Sequence, residues 1–186
     1  ASAHHQPFTQ AVQTQEMAFV VTGQLADFAD ACAGDQAVAV NAQEGIPPFV
    51  RSFLKIVEIP WRDFAPAITA PVVILNGNED TIAPVSQSVE ILSRLEQTPS
   101  KVLYIAQRDA YGYPKLSPNH GAPLDDIKGL PDHLKFFNIS GELDALDYRY
   151  YFFALDAVMD GWRDNLEFDL GTWSNGRPVK PVLQQH

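Results

Sequence analysis

Two short apolar runs, separated by an amphipathic stretch, constrain the fold of this chain more than any other feature. Residues 72–75 and 101–106 are rich in β-branched and other apolar side chains, which is typical of strands buried on both faces of a parallel sheet. Between them Pro84 suits the first turn of a helix, since proline needs no amide partner there. The apolar positions that follow at helical spacing are Val85, Val89, Leu92 and Leu95. The sequence therefore predicts a βαβ unit and an α/β fold.

The segments on either side of this unit have helical patterns. Residues 11–57 are predicted to be helical, with one apolar stripe in the first half and a second after Pro47 and Pro48. The two stripes comprise Leu25, Phe28, Ala29 and Cys32, then Phe49, Val50, Phe53 and Val57. Downstream, a short helix is predicted over 125–137 and a longer one over 147–163. The apolar row of the longer helix comprises Tyr148, Tyr151, Phe152, Leu155, Val158, Met159 and Trp162, which we interpret as core packing.

The tail has the pattern of a closing hairpin. Residues 166–170 alternate apolar and polar side chains, and Ser174-Asn175-Gly176 is a strong turn signal. Pro178 and Pro181 confine the second strand to an edge of a sheet, because proline cannot donate to a ladder.

Composition narrows the classes of partner. The formal charge of −10 repels phosphate backbones and anionic lipid surfaces, so nucleic-acid and membrane-surface binding are disfavoured. No apolar run approaches the roughly 18 residues of a membrane span. Cys32 is the single cysteine, which rules out an internal disulfide and a cysteine-based zinc site, and we predict no cofactor and no metal. Ala1-Ser2-Ala3 fits a signal-peptidase site and weakly favours a secreted or periplasmic protein.

The segment from Glu58-Ile59-Pro60-Trp61-Arg62-Asp63 to Pro84 resembles the part of α/β-hydrolases that leaves the helical cap, enters a late core strand and delivers the acid of the catalytic triad. The resemblance rests on Trp61-Arg62-Asp63, on Ile68 and Pro71 before the strand, and on Gly77-Asn-Glu-Asp80-Thr-Ile-Ala-Pro84 after it. It implies that Asp80 is the acid, at the carboxyl end of a parallel strand where open α/β sheets bind their ligands. The alternative is that Asp80 caps the helix beginning near Pro84.

The same resemblance predicts a histidine base after the next strand, near Arg108 and Asp109, where the chain has none. His120 is the nearest candidate, if the loop is lengthened by about ten residues relative to the family pattern. An exposed loop residue is the other interpretation of His120. His133 is a weaker candidate, because its spacing from Leu134 and Phe137 is typical of a helix surface.

The nucleophile of the family is missing from the 186 residues. No G-x-S-x-G elbow occurs, and the setting of Ser140 or Ser174 does not predict an exposed nucleophile. The serines at 86, 88 and 93 are explained by helix-surface polarity. Because the nucleophile precedes the acid in this fold, the resemblance places the elbow before residue 1.

These patterns predict a partial doubly wound parallel sheet, with a helical cap-like N-terminal region and a C-terminal helix plus hairpin extension. The predicted parts are a flexible N-terminus (1–10), the cap-like region (11–60), an α/β-hydrolase-like core segment (61–137) and the extension (138–186). Because the sheet is expected to begin at residues 71–76, we expect a second polypeptide or a homo-oligomer to cover its edge.

Three functions are compatible with these residues. The first is the C-terminal part of a serine hydrolase acting on ester or related acyl substrates, with Asp80 and His120 as acid and base and the nucleophile supplied by another segment or chain. The second is a non-catalytic α/β binding module for an apolar ligand or a partner subunit. The third is a metal site formed by His120 with Asp125 or Asp126, which lacks a recognised ligand spacing.

Overall fold

The computed structural model describes residues 18–21, 61–123, 143–160 and 165–186. In chain order the elements are β1 (Ala18–Val21), a short helix α1 (Trp61–Phe64) followed by a 3-10 turn (Ala65–Ala67), β2 (Val72–Gly77), α2 (Val85–Arg94), β3 (Lys101–Ala106), a π-helical turn (Asp147–Tyr151) continuing as α3 (Phe152–Met159), and β4 (Leu183–Gln185). The predictions for the terminus at 1–10, for most of the cap-like region, for the helix at 125–137 and for His133, Asp125 and Asp126 lie outside the described residues.

The predicted βαβ unit is present and forms the centre of a mixed four-stranded sheet, in the order β1-β2-β3-β4. Strands β2 and β3 pair in parallel over their whole length, from Val72 opposite Lys101 to Gly77 opposite Ala106. Helix α2 connects them and begins after Pro84, as the pattern predicted. The α/β class is therefore confirmed.

Residues 18–21 form strand β1, so the helix predicted over 11–57 is wrong at these positions. β1 pairs in parallel with β2, with Ala18 opposite Val72 and Val21 opposite Leu75. The run Ala-Phe-Val-Val is itself short, apolar and partly β-branched, and the helical spacing used for the prediction begins only at Leu25. The sheet therefore does not begin at residues 71–76. The edge of β2 that was predicted to need a second polypeptide is covered by β1 of the same chain.

Strands β2 and β3 are buried on both faces, as their unbroken apolar runs predicted. One face packs against α1 and α2, and the other packs against the C-terminal helical segment and the tail. The first cluster includes Trp61, Ile68, Ile74, Ile91, Leu95 and Leu103. The second includes Leu75, Tyr104, Tyr150, Ala154, Val158 and Leu166. The sheet thus has helices on both sides, and its carboxyl edge lies where the loops carrying the site emerge.

The C-terminal helical segment is present, but the face that it buries differs from the predicted one. The prediction is correct for Tyr151 and Val158, which are buried together with Tyr150 and Ala154. Other members of the predicted row are substantially exposed, namely Tyr148, Phe152, Leu155 and Met159. The orientation is set by the Tyr150 hydroxyl, which hydrogen-bonds to the backbone of the sheet, and by Ala154, whose small side chain allows close packing.

The tail forms the predicted turn but only part of the predicted hairpin. The turn is closed by hydrogen bonds from Trp173 N to Arg177 O (2.8 Å) and from Gly176 N to Trp173 O (2.8 Å). Residues 166–170 are not a strand, since the Leu166 amide donates to the Tyr104 hydroxyl instead of to a neighbouring strand. After Pro181 the chain forms β4, which lies antiparallel to β3 at the edge of the sheet. Within the described ranges no helix is both long and apolar enough to cross a bilayer.

Candidate functional site

The loop after β2 carries Asp80 to the carboxyl edge of the sheet. Gly77 ends the strand, and the Asp80 amide donates to its carbonyl (3.1 Å). A Cβ atom at position 77 would lie 1.9 Å from the Pro118 carbonyl oxygen, so only glycine fits here. Gly77 therefore allows the loop that follows β2 to pack directly against the loop that follows β3.

The buried Asp80 carboxylate has two sets of partners. Its Oδ1 accepts hydrogen bonds from the amides of Ile82 (2.9 Å) and Ala83 (2.8 Å), immediately before α2. Its Oδ2 lies 2.9 Å from His120 Nδ1, and Oδ1 is the more distant of the two oxygens from that nitrogen, at 3.2 Å. The contact expected of a triad acid is therefore present. The alternative, a cap on α2, is wrong, because the two amides belong to the turn before Pro84 and the start of α2 has no side-chain capping bond.

His120 lies in the loop after β3 and is only 4% exposed. A carboxylate accepts and does not donate, so the 2.9 Å contact places the proton of the neutral imidazole on Nδ1. Nε2 then carries the lone pair, and within the described part of the chain it has no hydrogen-bond partner. This is the arrangement of a general base whose orientation and tautomer are fixed by a carboxylate.

Residues 107–116 leave the sheet edge and return to it as a closed excursion, which allows the loop after β3 to bring His120 to that edge. Asp109 and Leu116 pair in an antiparallel bridge, with N to O distances of 3.0 and 2.9 Å in the two directions. The chain leaves the edge near Arg108, where the resemblance had predicted the histidine, and returns to it at Ser117. His120 follows on the returning chain, which explains how a residue forty positions after Asp80 contacts it.

Asp109 anchors the excursion to the C-terminal tail, a role that the sequence analysis missed. Its carboxylate accepts from the Tyr111 amide (3.0 Å), the Trp173 indole (3.2 Å) and the Lys180 amide (3.1 Å). Burial opposes ionisation of this carboxyl, but these hydrogen bonds, together with the charge of Arg177, lower its pKa. An Asp beside a turn-rich loop gives no sequence signal that distinguishes such an anchor from an exposed loop carboxylate.

Tyr150 fixes the C-terminal helical segment to the ends of β2 and β3. Its hydroxyl oxygen accepts from the Asn76 amide (3.1 Å) and lies within hydrogen-bond distance of the carbonyl oxygens of Asn76 (3.0 Å) and Tyr104 (2.8 Å). Burial raises the pKa of this phenol well above its ordinary value. Because the Tyr150 hydroxyl bonds to backbone atoms of Asn76 and Tyr104, no side-chain pattern in the sequence signalled this contact.

The Asn76 side chain links β2 to helix α2. Its Nδ2 donates to the Ala83 carbonyl (3.1 Å) and to the Ser88 hydroxyl (2.6 Å). The assignment of Ser88 to helix-surface polarity is therefore wrong, because its side chain is fully buried and faces the sheet. The same assignment holds for Ser86 and Ser93, which are exposed.

Tyr151 is a second buried phenol beside the site. Burial raises its pKa, and the negative charges of Asp80, Asp147 and Asp144 raise it further. Its hydroxyl therefore remains protonated under all ordinary conditions and presents a neutral polar group near the carboxylate of the candidate dyad. The helical pattern predicted a buried Tyr151, but nothing in the sequence places it near Asp80.

Neither a nucleophile nor a metal site accompanies the Asp80–His120 pair in the described ranges. No serine there hydrogen-bonds to His120: Ser117 donates to Glu79, and Ser174 lies exposed in the hairpin turn. Side chains of the types that bind metals do not form a group of three or more in the described ranges. The structure thus brings together the two residues predicted as acid and base, and the part of the chain that it describes supplies no nucleophile in contact with His120.

Comparisons of the chain with protein-family models, with curated proteins and with solved structures find no match. The resemblance to α/β-hydrolases accordingly depends on the residues quoted above and on the geometry that they adopt.

Proposed function

We propose that this chain supplies the acid and base of a serine hydrolase that acts on ester or related acyl substrates. Asp80 orients His120 through Nδ1, and His120 Nε2 takes the proton of a serine nucleophile and returns it to the leaving group. The nucleophile and the oxyanion hole come from a polypeptide segment outside these 186 residues. The observation that carries the proposal is the 2.9 Å contact between the two buried side chains. In addition, none of the described residues hydrogen-bonds to Nε2 of His120.

The surroundings of the pair support catalysis over a purely structural ion pair. Asp80 Oδ1 is held by two backbone amides, so Oδ2 has a fixed position from which to orient the imidazole. Both side chains lie at the carboxyl edge of parallel strands, where α/β enzymes place their sites. In this proposal the sheet is part of a larger doubly wound sheet, and residues 11–60 outside β1 belong to a cap over the pocket.

An active-site probe tests the proposal on the protein together with every polypeptide that copurifies with it. We expect a fluorophosphonate to modify one serine on a chain in the sample, and we expect hydrolysis of short p-nitrophenyl esters at a rate that falls with probe occupancy. Intact mass of each chain identifies the modified polypeptide. A sample with neither an adduct nor ester hydrolysis contradicts the proposal.

Two matched histidine variants connect the activity to this site. His120→Gln removes the base but keeps a polar side chain, whereas His186→Gln changes an exposed histidine near β4. We expect the first to reduce both labelling and hydrolysis by about 10³-fold or more and the second to leave both unchanged. Equal activity in the two variants would remove His120 from the reaction.

The alternative, a non-catalytic binding module, is favoured by one observation. Tyr148, Phe152, Leu155 and Met159 form an exposed apolar row on the C-terminal helical segment, and the exposed fraction reaches 68% at Met159. Such rows are typical of surfaces that contact another molecule. Failure of the labelling experiment, combined with a stable complex that Met159→Lys disrupts, would favour this second function.

A further inference from the structure

The residue immediately before Asp80 makes contacts that the proposed chemistry does not use. The Glu79 carboxylate accepts a hydrogen bond from the Ser117 hydroxyl through Oε2, and its Oε1 lies 3.0 Å from Arg108 Nη1. Both partners belong to the loop that carries His120. Arg108 lies before the Asp109–Leu116 bridge and Ser117 lies after it, so one carboxylate contacts both chains at the neck of the excursion.

The backbone near Glu79 reinforces this connection. The Glu79 amide donates to the Pro118 carbonyl (3.3 Å), and the Asn78 side-chain oxygen accepts from the Arg108 amide (2.8 Å). The acid loop therefore contacts the histidine loop on both sides of the neck. His120 follows Ser117 by three residues, so a shift of the neck is transmitted over a short stretch of chain to the imidazole.

From these contacts we propose that Glu79 is a positioning residue for the Asp80–His120 pair. It closes the neck of the excursion against the acid loop and thereby holds Nδ1 of His120 at the Asp80 carboxylate. The inference rests on the proposed function for its catalytic meaning, but the positioning itself is a property of this chain.

An ion pair alone does not account for such a role. The Arg108 side chain is 49% exposed, and exposed pairs contribute little because water screens them and the long side chains lose freedom. The Ser117 contact is less exposed and lies closer to His120 along the chain. We therefore expect loss of the Ser117 contact to displace the imidazole more than loss of the Arg108 contact.

The test measures the imidazole directly, without reference to hydrolysis. In Glu79→Ala we expect the Nδ1 proton resonance of His120, observed by NMR, to broaden beyond detection or to exchange with water at least tenfold faster than in the unmodified chain. Glu79→Gln retains an acceptor for Ser117 but loses the charge opposite Arg108, so we expect most of the signal to return. In an active preparation, we expect Glu79→Ala to lower kcat by about tenfold with little change in KM, since misplacement of a base by a fraction of an ångström has this order of effect.

Glu90 provides the matched control, because its carboxylate likewise has two side-chain partners, Arg62 and Arg94, but lies on a surface formed by α1 and α2. Glu90→Ala removes an equivalent ion pair and should leave the His120 resonance unchanged. If Glu79→Ala fails to fold, Ser117→Ala and Arg108→Gln remove the two contacts separately, and the first should affect the resonance more. A resonance that is unaltered in Glu79→Ala, or in both single-contact variants, would overturn the positioning role. A changed resonance in a protein that the fluorophosphonate does not label would support positioning while contradicting the hydrolase.

Discussion

Substitution of Asp80 separates the two roles that its carboxylate combines. Asp80→Ala removes the acceptor for the amides of Ile82 and Ala83 and also the partner of His120. Asp80→Asn retains one oxygen, which the two amides continue to occupy. Its NH2 group then faces His120 Nδ1, and because two donors cannot bond to each other, the neutral imidazole moves its proton to Nε2.

The hydrogen bonds set the expected loss of stability. Bonds to a charged acceptor contribute about 1.5 kcal/mol each at the lower end of their range, so losing both amide bonds costs Asp80→Ala about 3 kcal/mol. Asp80→Asn keeps these bonds in neutral form and should cost about 1 kcal/mol. Urea unfolding followed by tryptophan fluorescence measures this difference, with Trp61, which is buried in the first cluster, as a reporter.

Activity should not follow stability in this pair of variants. Both should lower kcat by about 10⁴-fold in an active preparation, because both lose the Nδ1–H tautomer that lets Nε2 accept a proton. Imidazole ¹⁵N shifts should show the proton on Nε2 of His120 in Asp80→Asn. A retained Nδ1–H tautomer in this variant, or equal destabilisation by the two substitutions, would refute the division of labour between Oδ1 and Oδ2.

Three further perturbations test the scaffold around the site. The pKa of Asp109 is lowered in the folded state, so ionised Asp109 stabilises the fold fully above its unfolded-state pKa near 3.8. This stabilisation is lost as the pH falls through the folded-state pKa. Asp109→Asn should therefore flatten the acid part of a plot of unfolding free energy against pH. The pKa of Tyr150 is raised in the folded state, so this residue stabilises the fold fully below its unfolded-state pKa near 10 and less at higher pH. Tyr150→Phe should lower the free energy of unfolding at pH 7 by about 2 kcal/mol, because the Asn76 amide loses its acceptor. The same variant should lose less stability at alkaline pH than the unmodified chain, as measured by circular dichroism. Gly77→Ala should lower the free energy of unfolding by about 2 kcal/mol or more, since the new methyl overlaps the Pro118 carbonyl. It should also shift the amide resonance of the residue after Pro118, and an unchanged spectrum would contradict the close approach of the two loops.

The sequence predicted the centre of the fold because local pattern and tertiary environment agree there. Strands β2 and β3 are buried on both faces, which is why their apolar runs are unbroken, and Pro84 marks the start of α2. Strand β1 was missed because a run of four residues carries no periodicity, and its pairing with β2 is a non-local contact. The buried face of the C-terminal segment was misjudged for a similar reason, since a hydroxyl of Tyr150 bound to the sheet decides the orientation.

The sequence identified both residues of the candidate pair, Asp80 and His120, but not the path of the chain that brings them together. Asp80 follows from the strand, the glycine and the proline that surround it. His120 required a loop of unusual length to return to the sheet, and the signal for that return lies in a backbone bridge between Asp109 and Leu116, which side-chain patterns do not encode. Sequence spacing therefore identified the histidine as a candidate, and the closed excursion explains its contact with Asp80.

The excursion and the C-terminal extension are best understood together. An excursion held only by one backbone bridge would leave His120 at the end of a pliable loop, because a single bridge fixes few dihedral angles. Asp109 binds Trp173 and Lys180 of the tail, so the excursion is fastened at its base to the part of the chain that ends in β4 on the β3 edge. The tail thus returns to the same sheet from which the histidine loop departs. The excursion and the extension therefore each provide a packing partner for the other.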